Sequence, residues 1–236
     1  MTWSILVRDG DLLGGAVATK FFAVGALCLH VEGGVGAIAT QALINPMLAW
    51  HGMPRLRAAD DPAVLVPLLL AGDDGRAVRQ LHMIDAAGRI GQHTGAECIG
   101  WCGHLTGAAG GAQITVAGNT LAGAEVLDRT IEAYASTSGP MAIRLLAALA
   151  AGEAAGGDKR GRQSAALKIA SRDPYPDLDL RIDDHPDPLA ELRRLYAVSQ
   201  EHFAIFRRFL AGRDSPCGTY DRAVIMAAVE QGTPSG

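Results

Sequence analysis

From residue 156 to residue 167 the chain reads Gly-Gly-Asp-Lys-Arg-Gly-Arg-Gln-Ser-Ala-Ala-Leu, its densest run of hydrogen-bond donors. Lys159, Arg160 and Arg162 place three cations within four positions. The forked guanidinium groups of Arg160 and Arg162 match a carboxylate. The glycines let the backbone adopt conformations that side-chained residues avoid. Asp158, Arg160, Arg162 and Ser164 are therefore the first set of substrate-binding candidates, on the argument that loops held by a scaffold carry function. A solvated surface loop is the ordinary alternative. Gln41 and Asn119 are expected at strand-to-helix junctions, where unpaired N–H groups suit an oxyanion or a carboxylate; simple capping would explain them as well. His104 lies in a glycine-rich segment that reads as a loop, placed to donate to a substrate or shuttle a proton. Asp183, Asp184 and His185 resemble metal ligands. However, Pro186-Asp187-Pro188 explains the acids as helix-entry chemistry and no fourth ligand is suitably spaced. No metal and no cofactor is expected.

Composition narrows the class. With 49% hydrophobic but only 5% aromatic residues, the core must be built from Ala, Leu, Val and Ile. The 29 glycines among 236 residues exceed the usual share and favour closely stacked layers. A net charge of -4 gives no basic face for nucleic acid. Cys28, Cys98, Cys102 and Cys217 form neither a C-x-x-C pair nor a zinc-finger spacing, which fits buried thiols in a reducing, cytoplasmic setting. No basic segment leads into an apolar run at the N-terminus, and no apolar run has membrane-spanning length. The partners expected are a small-molecule substrate and further copies of the same chain, a dimer or higher, paired through an exposed edge strand.

The elements that must position these groups follow in order. Residues 3–7 read as a strand, Asp9-Gly10-Asp11 as a tight turn, and residues 13–19 as the antiparallel return. Residues 26–31 and 35–40 are apolar runs separated by Gly33-Gly34, each covered on both faces. Residues 41–51 read as a helix broken at Asn45-Pro46. Asp60-Asp61-Pro62 opens a helix ending near Gly72, with a capping acid followed by Pro in the first turn. Residues 79–85 and 89–94 form a hairpin, and residues 113–118 another strand. Helices follow from about Ala124 to Ser136 and from Pro140 to Ala151. After the cationic loop a strand ends at Ala170, and the strict alternation of residues 178–183 marks a half-exposed edge strand. Asp187 with Pro188 caps a long helix whose stripe is Leu189, Leu192, Leu195, Phe203, Phe206 and Leu210. A short helix from Tyr220 to Glu230 ends the chain. Strand blocks and helix blocks are segregated, so the expectation is an α+β domain with two sheets between outer helices. One domain over residues 1–213 is expected, with residues 214–236 as an extension.

The residues also carry a resemblance. Met1 to Ile5 with Val7-Arg8-Asp9, residues 19–25, residues 34–41 with Asn45-Pro46, Gly103-His104, Gly118-Asn119, the cationic loop and Asp183-Asp184-His185-Pro186 resemble the domain of unknown function 1028 family over roughly residues 1–196. That family is similar in fold to the N-terminal-nucleophile (Ntn) hydrolases, which implies a four-layer αββα sandwich of two mainly antiparallel sheets. It also implies a nucleophile that becomes residue one by processing and uses its own α-amine as base. The matching residue is Thr2, exposed if Met1 is removed. Ser4 shares its face of the strand but reads better as a buried strand serine. Lys20 would lower the pKa of the Thr2 amine, and Gln41 or Asn119 would polarise the carbonyl. Arg160 and Arg162 would anchor an acid group. The implied activity is hydrolysis of a small anionic amide or peptide-like substrate, with a cell-wall-derived amide among the candidates. A binding or assembly protein with an unprocessed N-terminus is the other reading.

Overall fold

A computed structural model describes residues 2–232. Among these residues ten strands form two antiparallel sheets. Strands β1 (Thr2–Asp9) and β2 (Leu12–Thr19) make the opening hairpin, with Gly10 at a φ of 58° in its turn. This is a left-handed conformation that glycine adopts without a Cβ clash. A single helical turn, α1 (Val24–Leu27), then leads to β3 (Leu29–Glu32) and β4 (Gly36–Ala42). Helices α2 (Pro46–Arg57) and α3 (Pro62–Ala71) follow, each with Pro at its start and a side-chain cap, Asn45 and Asp61. Next come β5 (Arg79–Asp85), β6 (Ile90–Thr94), β7 (Trp101–Ala109) and β8 (Ala112–Leu121). Helices α4 (Glu125–Ser136) and α5 (Met141–Ala154) precede β9 (Ser164–Ala170) and β10 (Leu178–Ile182). The described chain closes with α6 (Pro188–Ser199), α7 (Phe203–Phe206) and α8 (Arg222–Gly232).

The larger sheet has the order β10-β9-β2-β1-β8-β7 and the smaller the order β3-β4-β5-β6. Strand β1 is central, paired with β2 from Trp3↔Ala18 to Asp9↔Leu12 and with β8 from Thr2↔Asn119 to Arg8↔Gln113. Its side chains alternate between two environments. Trp3, Ile5 and Val7 join Leu127, Leu145 and Leu149 in an apolar core beneath helices α4 to α6. Gly152 lets α5 approach closely, since a Cβ there would lie 2.7 Å from Trp3 Nε1. A second core joins α2 and α3 to the smaller sheet through Leu48, Leu65, Leu81 and Met83. Between the sheets, Leu6, Val17, Leu29, Ala37 and Ile84 form a third and smaller cluster. The architecture is the expected α+β sandwich of two antiparallel sheets flanked by helices.

Four local expectations are corrected. Residues 26–27 belong to α1 rather than to a strand. Gln41 lies within β4 and Asn119 within β8, each paired in a ladder instead of standing at a helix junction. His104 lies in β7, where it pairs with Ala117. The long C-terminal helix ends at Ser199, so Phe203 and Phe206 belong to α7 and do not continue one stripe.

Candidate functional site

The Thr2 end of β1 gathers most of the polar groups buried between the sheets. Thr2 is buried, and its hydroxyl donates to Thr19 Oγ1 at 3.2 Å. Two residues on, Ser4 Oγ donates to Gln41 Oε1 at 2.7 Å and lies 2.8 Å from His82 Nε2. Gln41 Nε2 donates to Gln80 Oε1 at 2.8 Å, and Asn119 Nδ2 donates to the same oxygen at 3.0 Å. Asn119 Nδ2 also reaches the Thr2 carbonyl at 3.4 Å. Gln80 Nε2 in turn donates to Thr94 Oγ1 and to the Gly118 carbonyl, both at 2.9 Å. The His104 ring closes this chain toward solvent, with Nδ1 2.9 Å from Thr94 Oγ1.

Hydrogen-bond direction around His82 can be assigned by counting donors. Gln92 Nε2 donates to Thr115 Oγ1 at 2.7 Å, which leaves the threonine hydroxyl to donate to His82 Nδ1 at 3.0 Å. Ser4 Oγ spends its proton on Gln41, so it accepts from His82 Nε2–H. A neutral imidazole protonated at Nε2 satisfies every partner. Burial agrees: with no exposed surface, the His82 pKa falls to about 3, helped by the positive charge that His104 can carry. Burial also pushes the Cys28 thiol up to about 12, against a backbone hydrogen bond from Thr40, so that sulfur stays protonated. This thiol reaches Gln41 Oε1 at 3.7 Å.

The cationic loop closes the same end of the sandwich. Its Asp158 pairs across to Leu121, and Gly157 accepts from the Ala122 N–H. The Asp158 carboxylate has no exposed surface; it accepts the Lys20 backbone N–H at 2.8 Å, the Arg160 N–H at 2.9 Å and Arg160 Nη2 at 3.2 Å. Lys20 follows β2 and Leu121 ends β8, so the loop joins both neighbours of β1 at the end where Thr2 lies. Lys20 Nζ donates to the Arg162 carbonyl at 3.1 Å. The Arg162 guanidinium turns to the helical side, where it meets Glu153 at 3.2 Å and Asp187 at 3.4 Å. Ser164 is buried and serves the backbone: it accepts from the Val24 N–H and donates to the Phe21 carbonyl.

Thr2, Lys20, Gln41, Asn119 and Asp158 are thus brought to one end of the sandwich. His104 connects to them through Thr94 and Gln80, whereas the Arg160 and Arg162 side chains are engaged by acids of the chain itself. Gln80, His82, Gln92, Thr94 and Thr115 were missed in the sequence. For Gln80 and His82 the signal was the alternation in β5, where they occupy one face of a strand whose other face is Leu81 and Met83.

Backbone conformation marks the same end. Outside glycine, positive φ values occur at Ala23, Ala42, Ala59 and Thr120 among the described residues. Three of the four adjoin the site: Ala42 follows Gln41, Thr120 follows Asn119, and Ala23 lies in the turn after Lys20. Side-chained residues held in this region cost about 1–3 kcal/mol each and collect at functional sites. A cavity of about 250 Å³ opens there, lined by Ala42, Leu43, Val78, Ile99, Asn119 and Thr120 among others. Among the described residues no group of three or more His, Cys, Asp or Glu side chains is arranged to hold a metal ion, and no helix is long and apolar enough to cross a membrane.

The chain belongs to a family of unknown function, DUF1028, whose sequence model matches residues 2–192. It is similar to protein SPO2555 from Silicibacter pomeroyi, a crystal structure matched to the same family. The two are 32% identical with a TM-score of 0.85, over 93% of this chain and 99% of that one. No functionally curated protein matches the chain.

Proposed function

We propose that this protein hydrolyses an amide bond, with Thr2 as an N-terminal nucleophile once the chain is cut before it. The observation that carries this reading is the position of Thr2. It opens the central strand with its hydroxyl on the Ser4 face of that strand, and its carbonyl accepts from Asn119, a residue that lines an open cavity. Met1 lies outside the described residues. With Thr2 as residue one, its α-amine titrates near neutrality and suits a general base. The amine takes the hydroxyl proton as Oγ1 attacks the amide carbonyl. The same proton then passes to the departing nitrogen as the C–N bond breaks. Water, deprotonated by the amine, cleaves the ester left on Thr2 and restores the hydroxyl.

Asn119 is the donor best placed for the oxyanion. Its hydrogen bond to the Thr2 carbonyl, at 3.4 Å, is the longer of the two it makes, so that hydrogen can be redirected while Gln80 holds the amide. Lys20 acts from the edge of the site, fixed by Asp158 at its backbone and by the Arg162 carbonyl at its ammonium. Anchoring of an acid group by Arg160 and Arg162 draws no support from their side chains, which already meet Asp158, Glu153 and Asp187.

The test has two parts. Intact mass of the protein from its native host is expected to give a chain starting at Thr2. In a screen of amide substrates, Thr2→Ala is expected to lower turnover by at least about 10³-fold with Thr2→Ser partly active. Full activity of Thr2→Ala would remove the threonine from the reaction. Absence of hydrolysis by a chain that starts at Thr2 would leave the binding or assembly reading.

A further inference from the structure

The cavity beside Asn119 is apolar on most of its wall. Ala42, Leu43, Val78, Cys98 and Ile99 line it, and the Leu43 N–H donates to the Val78 carbonyl at 3.2 Å. Leu43 is 63% exposed and Ile99 77% exposed, so both side chains offer hydrocarbon surface that the fold leaves uncovered. The wall includes an acid, Glu97, and no Lys or Arg among its described residues. The guanidinium reaching this end of the smaller sheet is that of Arg79. It is tied to Asp73 at 3.0 Å and to the Leu43 carbonyl at 2.6 Å, which fixes the chain bearing Leu43. The pair also holds the Asp73 carboxyl below its usual range, chiefly through the Arg79 hydrogen bond, so the two charges offset each other.

The walls come from four separate parts of the chain, and two wall residues, Ala42 and Thr120, have positive φ. Both directly follow polar residues of the buried network, Gln41 and Asn119. The left-handed turn at each position therefore carries the chain from the polar seam to the rim of the cavity. A group seated there lies next to the amide of Asn119, the side chain that contacts the Thr2 carbonyl.

We propose that this cavity is the subsite for an uncharged, aliphatic side chain of the amide substrate, and that Glu97 at its wall disfavours a carboxylate. This rests on the amide-hydrolase reading for its role in turnover. Its recognition chemistry stands on the cavity alone: burying aliphatic surface against Leu43, Val78 and Ile99 is favourable, whereas an anion there would meet an acid and no compensating cation. The substrate class thus shifts from an acidic amide toward one bearing a Leu- or Val-like group.

The test separates binding from catalysis. The full chain carrying Thr2→Ala is titrated with N-acetyl-leucinamide and with N-acetyl-glutamate α-amide, and affinities are read from backbone amide chemical shifts. The leucine compound is expected to bind at least tenfold more tightly, with shifts at Leu43, Val78 and Ile99. Adding Leu43→Asp, at an exposed position, is expected to abolish that preference. Equal or tighter binding of the glutamate compound overturns the proposal. So do shifts clustered at Arg160 and Arg162, or no binding of the leucine compound. Hydrolysis is measured separately on the chain starting at Thr2. Selective binding without cleavage sinks the hydrolase reading and keeps the subsite, while cleavage without aliphatic preference does the reverse.

Discussion

The two faces of β1 differ in kind. One presents Trp3, Ile5 and Val7 to a helix-covered apolar core. The other begins with Thr2, whose hydroxyl donates to Thr19, and Ser4, whose hydroxyl enters a hydrogen-bonded network spanning both sheets, and becomes apolar only at Leu6. Apolar burial is non-directional, so the helical side can be filled by any residues of suitable volume. A buried polar group costs free energy unless its partners have the right geometry. The seam therefore demands particular residues at particular positions, and it holds the end of the molecule where reaction is proposed. One face of the strand holds the fold together, and the other fixes orientations.

Paired substitutions sharpen that contrast. The largest effect is that of Thr2→Ala, a loss of at least about 10³-fold in turnover with little change in melting temperature. The opposite pattern is expected from Leu145→Ala in the helix-side core, where a fully buried side chain is removed. It should lower stability by about 2–5 kcal/mol in denaturant titration while the KM of the proposed hydrolysis, measured on the folded fraction, is unchanged. Gln80→Leu should fall between the two. It strips partners from both Gln41 and Asn119 and is expected to cost about 1–3 kcal/mol. It should also lower kcat more than it raises KM, because Asn119 loses its hold. If Gln80→Leu changes stability alone, the seam is merely structural.

The most gradual effect is a pH dependence. The His82 pKa lies near 3 in the fold, lowered first by burial, but near 6.5 in the unfolded chain. The unfolded state thus binds more protons in that interval. The stability contributed by neutral His82 is complete above about pH 6.5 and is lost as pH falls toward 3, at no more than about 1.4 kcal/mol per pH unit. Burial lowers the pKa of His30 and His104 as well, and both act with the same sign. Melting temperature measured from pH 7 to pH 4 should fall, and His82→Gln should flatten the slope. An unchanged slope would put the proton elsewhere.

Much of the architecture was readable in the chain because its punctuation is local. Asp9-Gly10, Asp61-Pro62 and Asp187-Pro188 mark their turn and helix starts by chemistry confined to two or three residues. Strand β7 was not legible: Trp-Cys-Gly-His-Leu-Thr-Gly-Ala-Ala mixes glycines with partly buried side chains and lacks the β-branched content that marks a strand. Gln41 and Asn119 were placed at helix starts because a polar residue ending an apolar run resembles a cap. Only the ladder pairing, Gln41 with Gln80 and Asn119 with Thr2, distinguishes the two cases. Thr2, Lys20 and Asp158 could be nominated from the chain, but the cavity could not. Leu43, Val78 and Ile99 are ordinary apolar residues until the two sheets bring them together.

The position of β1 between β2 and β8 has a consequence for biosynthesis. Its partner β2 is made at once, but β8 spans Ala112–Leu121, and the loop that ties both flanks together at Asp158 comes later still. At about 5–20 residues per second, several seconds or more separate translation of the first strand from that of its second neighbour. Throughout that interval β1 keeps one edge of its backbone unpaired, and its place at the centre of the sheet is completed only when β8 arrives.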